Sequence, residues 1–144
     1  MINLAIDLGG RLFPSFKYKW LSDEVSKNIP IEMNFRIEAE NAKRCKAMFA
    51  HSKNVRVPKV YDEFTSDRTL VMSFETGISV TKVKEMHKQG IDLRKLSQII
   101  SETFNHMIFE EGFVHGDPHP GNMHVRKKEG GEIELILLDH GIYT

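Results

Sequence analysis

A mixed α+β fold is predicted by three features of the sequence. Two long segments, Phe35 to Phe49 and Leu93 to Ile108, carry apolar residues at helical spacing. Two β-rich runs, VRVPKVYDEF and TLVMSF, flank the polar turn Thr65 to Arg68 and resemble an antiparallel pair. A second pair, MHVRK and IELILLD, flanks the turn Lys128 to Gly131 as a hairpin. The 144 residues are enough for one compact domain and too few for two.

Taken in order, Leu4, Leu8 and Leu12 predict a short helix over Ile2 to Leu12, which Pro14 discourages from continuing. After Pro30 a longer helix places Phe35, Ala42, Cys45 and Phe49 on one face. Glu38 falls on the same stripe. A carboxylate there either has a buried partner or lies at the edge of the stripe and reaches water. The β-rich pair follows, and Gly77 ends its second run. A short helix is expected from about Val80 to Lys88, closed by Gly90. Asp92 then caps the clearest helix, with Leu93, Leu96, Ile100, Phe104, Met107 and Ile108 on its core face and Gly112 as its stop. The stretch VHGDPHPGN is too rich in proline and glycine to be a regular element, so it is a loop. The hairpin after it returns the chain, which puts Asp139 near that loop in space.

Composition narrows the function classes. Apolar residues make up 40% and charged residues 28%, the balance of a chain that builds a core. Twenty basic and twenty acidic residues cancel without a long block of either sign, so no nucleic-acid-binding surface is expected. The small basic cluster Arg126-Lys127-Lys128 is expected to be a solvated turn. The single cysteine, Cys45, excludes an intramolecular disulfide and a multi-cysteine zinc site. No apolar run approaches the roughly 20 residues of a membrane-spanning helix, and Met1 to Gly10 has no features of a targeting segment.

The chemistry concentrates in the last thirty or so residues. Phosphoryl transfer needs carboxylate and amide oxygens to hold magnesium, and a group beside the attacking hydroxyl. Asp117 and Asn122 have the D-x-x-x-x-N spacing of a phosphotransfer loop, and Asp139 opens a D-x-G after a hairpin. These positions predict Asp139 as the principal magnesium ligand and Asn122 as ligand to a second magnesium. Asp117 would orient the acceptor or a water. His115 is expected to brace the loop, Pro118 and Pro120 to stiffen it, and Gly121 to allow close backbone approach. A rival reading takes His115, Asp117, His119 and His124 as ligands of a hydrolase zinc or iron. Against it, those residues lie in one short stretch and no H-E-x-x-H helix is present.

The run VHGDPHPGN followed by LLDHG closely resembles the UbiB/ADCK family of atypical protein-kinase-like proteins, in its D-H-G branch. The resemblance extends through IEMNFRIEAENAKR, VPKVY and LVMSFETG, from about Phe13 onward. It implies a protein-kinase-like α+β fold, with residues from about 1 to 79 a remnant N-lobe with helix C and hinge, and about 80 to 144 the start of a mostly helical C-lobe. It also implies ATP and magnesium as cofactors. Glu38 matches the helix-C glutamate that pairs with a nucleotide-binding lysine. Met72, Ser73 and Phe74, in the stretch ending at Gly77, match the adenine-contacting hinge. Glu32 matches the first acid of the family's E-x-D motif, while Asn34 stands in place of its aspartate. The resemblance further implies mitochondrial or plastid membranes, and membrane lipid or proteins of ubiquinone and isoprenoid-lipid biosynthesis as partners.

Nothing before Glu32 resembles the family's K-x-G-Q segment, its alanine-rich nucleotide loop or its lysine-bearing strand. A fragment of a longer protein is therefore expected, with Glu38 lacking its lysine partner. Three functions follow: an atypical kinase or ATPase whose acceptor the sequence does not reveal, a small-molecule kinase of the aminoglycoside or choline type, and a non-catalytic pseudokinase-like module.

Overall fold

A computed structural model describes residues 34–144, and Phe35–Thr144 forms one compact unit. The expected helix at Ile2 to Leu12 and the matched acid Glu32 lie outside the described residues.

Helix α1 spans Phe35–Met48 and buries Ala39, Ala42 and Cys45, with Phe49 just beyond its end. Strand β1 is Val55–Arg56, β2 is Ile78–Ser79, and the short helix α2 is Val83–Lys88. Helix α3, Leu93–His106, starts at Asp92, whose carboxylate accepts the amides of Arg94 and Lys95 at 2.9 and 3.2 Å. That cap satisfies two of the helix's orphan donors and contributes about 1 kcal/mol. Strands β3, Met123–Lys127, and β4, Ile133–Leu137, form the expected hairpin, in register from Met123 opposite Leu137 to Lys127 opposite Ile133. Its turn is made by Gly130 and Gly131 at φ 94° and 88°, values that L side chains rarely adopt.

The four strands form one sheet in the order β1-β4-β3-β2. It draws strands from both sides of residue 79. One face of the hairpin, Met123, Val125, Ile133, Leu135 and Leu137, clusters with Leu96, Ile99 and Met107 of the α3 region and with Cys45 and Phe49 from α1. Each such fully buried apolar side chain stabilises the fold by about 1.5–3 kcal/mol. Ala39, Ala42 and Val60 form a smaller cluster with Leu70.

Three expectations are corrected. The run starting at Val55 does not pair wholly with the 69–74 run. Val55 and Arg56 instead run parallel to β4, opposite Leu135 and Ile136, and Pro58, which has no N–H, follows before the antiparallel pairing begins. That pairing then holds, through Tyr61 N to Val71 O at 2.9 Å and Ser73 N to Lys59 O at 2.7 Å. Gly77 ends the second run as expected, and the strand that follows it, β2, takes a different partner, β3. The short helix begins three residues late, at Val83, after a turn in which Lys82 N donates to Ser79 O. Ile108 leaves the core face. The helix widens into a π turn at Met107–Glu111, which keeps Met107 buried while Ile108 is 48% exposed. Gly112, at φ 57°, stops it as expected.

Candidate functional site

The loop after α3 is held by its own backbone and imidazoles. His119 N donates to Asp117 O at 2.7 Å, and Asn122 N donates to His119 O at 2.9 Å, which closes a single 3-10 turn over Pro120–Asn122. His119 Nδ1 accepts the Gly121 amide at 3.0 Å. A Cβ at Gly121 would come within 2.9 Å of that nitrogen, so this glycine is required for the close approach. The chain after Asp139 pairs back against the start of the loop. Val114 and Thr144 exchange both backbone bonds, and Gly116 N donates to Ile142 O at 2.8 Å.

The hairpin brings Asp139 to Asn122. Leu138 N donates to Asn122 O at 3.0 Å, and Asn122 Nδ2 donates to Asp139 Oδ2 at 3.0 Å. Asp139 Oδ1 accepts the Gly141 amide at 2.9 Å, which fixes the carboxylate's orientation. His115, only 5% exposed, ties the two acidic positions together. Its Nδ1 accepts the Asp117 amide at 3.2 Å, and the ring also hydrogen-bonds the Asp139 main chain. Burial lowers its pKa, so the ring is a neutral brace. Asp117 itself is exposed.

His140, in the middle of the D-H-G, is fully buried. Its Nε2 lies 3.2 Å from Leu137 O, and a carbonyl only accepts, so Nε2 carries the proton. Nδ1 therefore accepts from the Tyr143 hydroxyl at 2.9 Å. Tyr143 is also hydrogen-bonded to Cys45 of α1, and its ring stacks on Phe113 at 4.2 Å between centroids. Burial pushes the His140 pKa down to about 4 and the Cys45 thiol up to about 11, so both stay neutral near pH 7.

Glu38 meets this same turn. Its Oε1 accepts the His140 amide at 3.3 Å, and Asn41 Nδ2 donates to His140 O at 3.0 Å. Burial raises the Glu38 pKa, and the nearby Asp139 charge adds to the rise against the His140 hydrogen bond. Helix α1 thus reaches the D-H-G turn directly.

Met72 and Ser73 are half-buried, whereas Phe74 is 90% exposed. Sequence reasoning passed over the residue that anchors this stretch. Glu75, with a side chain 5% exposed, accepts from Ser73 Oγ at 3.1 Å, from Arg56 at 3.0 Å and from Arg126 at 2.9 Å. Arg126 in turn donates to Glu134 at 2.8 Å. A lone acid inside an otherwise apolar run was the available signal. Cys45 and Tyr143 were also missed as partners, because nothing in their spacing joins them.

The donor set fits magnesium bound with nucleotide phosphates. Magnesium takes one or two protein oxygens beside phosphate oxygens, and Asp139 and Asn122, each with a side-chain oxygen to offer, lie in direct contact through the Asn122 amide nitrogen. The rival zinc or iron cluster does not assemble. Among the described residues, no group of three or more His, Cys, Asp or Glu side chains is arranged to hold a metal, and the Nδ1 atoms of His115 and His119 already accept backbone amides.

The comparisons agree with this architecture. A model of the ABC1 atypical kinase-like domain matches residues 1–144. AarF domain-containing kinase 1 of Drosophila melanogaster is 41% identical over 143 residues, 99% of this chain and 28% of that protein. AarF domain-containing protein kinase 1 of Mus musculus is 42% identical over 134 residues, 92% of this chain and 26% of that one. The chain thus spans about a quarter of these relatives. The solved structure of Rv3197 from Mycobacterium tuberculosis in complex with erythromycin superposes with a TM-score of 0.70 at 20% identity, covering 93% of this chain and 32% of that one. That likeness shows a shared kinase-like fold. The chain belongs to the ABC1 atypical kinase-like family, the group that its HGDPHPGN and DHG motifs resemble as UbiB/ADCK.

Proposed function

We propose that residues 34–144 carry the magnesium- and phosphate-binding half of an ATP site. The single observation that carries this reading is the contact between Asn122 Nδ2 and Asp139 Oδ2 across the hairpin. It joins the two oxygen-bearing side chains that phosphoryl transfer requires, on a loop braced from beneath by His115. Magnesium, when bound, would offset the charge of the nucleotide phosphates. Asp139 and Asn122 hold it, and the exposed Asp117 orients an acceptor hydroxyl or a water. Met72, Ser73 and Phe74 form the edge that meets adenine, and Glu75 fixes that edge to β1 and β3.

Glu38 supports a second state of the same site. Its carboxylate is engaged by the His140 amide, so pairing with a lysine requires giving up that bond or sharing it. A nucleotide-binding module without turnover is the reading this contact favours if no lysine reaches it. A role in ubiquinone or isoprenoid-lipid metabolism, at mitochondrial or plastid membranes and beside lipid-biosynthetic proteins, belongs to the same proposal. It rests on the family resemblance alone.

Calorimetry with ATP and magnesium tests the core of this reading. The protein is expected to bind Mg-ATP, and Asp139→Asn to weaken binding at least tenfold. Equal binding by the two proteins would remove the metal site assigned here.

A further inference from the structure

Beside the edge strand β1 lies a cleft of about 280 Å³, bounded by the end of α1, the turn that leads into β1, and Glu134 of β4. Its apolar lining, Phe49, Val55 and Val57, is buried, and Lys46 and Arg56 line it as well. The cleft shares no residue with Asp117, Asn122, Asp139 or the 72–74 stretch. What it binds is therefore independent of the nucleotide reading.

The charges around this cleft are not balanced. On α1, Lys43 is paired with both Glu40 and Asp62. Lys46, one turn further on and half-buried, has no hydrogen bond or ion pair among the described residues. Burial lowers its pKa, and the Arg56 and Lys59 charges lower it further, against an opposing effect of Glu75. Arg56 donates its Nε–H to Glu75 at 3.0 Å, which leaves both Nη groups without a partner among the described residues. Glu75 is shared with Arg126. Glu134, the carboxylate lining the cleft, is held by Arg126 at 2.6 Å and lies 3.7 Å from Lys128. The carbonyls at the end of α1 add little negative charge, because those of Cys45, Ala47 and Phe49 accept the amides of Phe49, Ala50 and Ser52.

A cation held partly out of water beside another, with an apolar cavity at its side, is completed by an anion that carries an apolar body. Lys46 and Arg56 supply two charges against a share of one carboxylate. A phosphomonoester, at about −1.5 to −2 near pH 7, matches that excess better than a singly charged carboxylate does. We propose that this cleft binds a small phosphomonoester, with its phosphate between the Lys46 ammonium and the Nη groups of Arg56 and its carbon body against Phe49, Val55 and Val57. The guanidinium edge takes two phosphate oxygens, and the ammonium takes a third.

The test titrates n-butyl phosphate, inorganic phosphate and pentanoate into the protein without magnesium, followed by amide NMR. n-Butyl phosphate is expected to saturate, with shifts centred on Ala50, Ser52 and Arg56. Inorganic phosphate lacks the body and pentanoate lacks the second charge, so each should bind at least about fivefold more weakly. Lys46→Met keeps the stem and breaks no ion pair, so the fold stays intact while n-butyl phosphate affinity falls about tenfold. Lys43→Met removes a neighbouring but already paired charge and should change that affinity less than about twofold. Equal binding by wild type and Lys46→Met overturns the proposal, as does an equal loss in Lys43→Met, which reduces the effect to net charge. So do a failure of n-butyl phosphate to saturate, shifts centred on Asn122 and Asp139, and either comparison ligand binding as tightly as n-butyl phosphate. None of these outcomes touches the nucleotide reading, which rests on other residues.

Discussion

The Tyr143 hydroxyl donates to Nδ1 of His140 at 2.9 Å and is itself hydrogen-bonded to Cys45 of helix α1. A chain of three neutral groups, Cys45 and His140 buried and Tyr143 half-buried, therefore links the helix to the residue beside Asp139. Tyr143→Phe leaves the His140 nitrogen without its donor and should cost about 1–3 kcal/mol of stability. His140→Phe in the same background should cost less than in the wild type, because the partner is already gone. Urea denaturation of the two single variants and the double variant measures that coupling; simple additivity would mean that the hydrogen bond contributes nothing.

Asp117 and Asp139 should separate under mutation. Asp117 is exposed and, among the described residues, is held through its backbone by His115 and His119, so Asp117→Asn should leave Mg-ATP affinity within about threefold and abolish any phosphate release. Calorimetry beside a phosphate-release assay checks both halves. A large loss of affinity in Asp117→Asn would move this residue into the metal site.

Glu75 predicts an acid-sensitive link between the 72–75 stretch and the sheet. Burial alone would raise its pKa, but hydrogen bonds from Arg56, Arg126 and Ser73 outweigh burial and hold it below the usual 4.5. A depressed carboxylate pKa stabilises the fold above that usual value, and the contribution is lost as pH falls from about 4.5 toward the folded value. Glu75→Gln should cost about 2–4 kcal/mol at pH 7, since it leaves Arg126 and Arg56 short of a buried partner. Its deficit relative to wild type should shrink below pH 4.5. Thermal melts of both proteins from pH 7 to pH 3 follow the effect, and a deficit independent of pH would show that packing matters and charge does not.

At Gly77 the prediction is steric. A methyl group there meets Ile136, His124 and the Val125 carbonyl at 3.0, 3.1 and 3.3 Å. Gly77→Ala should destabilise by about 1–3 kcal/mol through overpacking and weaken nucleotide affinity more than Asp92→Ala, which removes only a helix cap worth about 1 kcal/mol. Paired stability and binding measurements on the two variants decide the matter. Equal effects on binding would mean that the Gly77 contact plays no special part in the site.

Local chemistry made much of this legible. Asp92 caps α3 because a short acid before an apolar helix has few other uses, and the hairpin follows from alternation around a glycine turn. The proximity of Asn122 and Asp139 follows from that hairpin alone. What escaped was long-range or geometric. The π turn that rotates Ile108 outward depends on how Met107 packs, which no helical wheel encodes. The pairing of β1 with β4 joins runs that had each found a plausible neighbour nearby. Glu38 on its apolar stripe announced the need for a partner, but its contact is a backbone amide in the D-H-G turn, which side-chain reasoning does not search.

The parallel pairing of Val55 and Arg56 with β4 has a kinetic consequence. The first strand of the sheet finds its neighbour only near the far end of the described chain, so its contact order is high and closing the sheet carries a large loop-closure entropy. Helices α1 and α3 can form while the strand between them waits. On a ribosome the D-H-G loop leaves the tunnel last among these elements, and the sheet and the metal-type site would complete together. A chain halted short of β4 should therefore hold helices, lack the site, and expose the apolar edge that β4 normally covers.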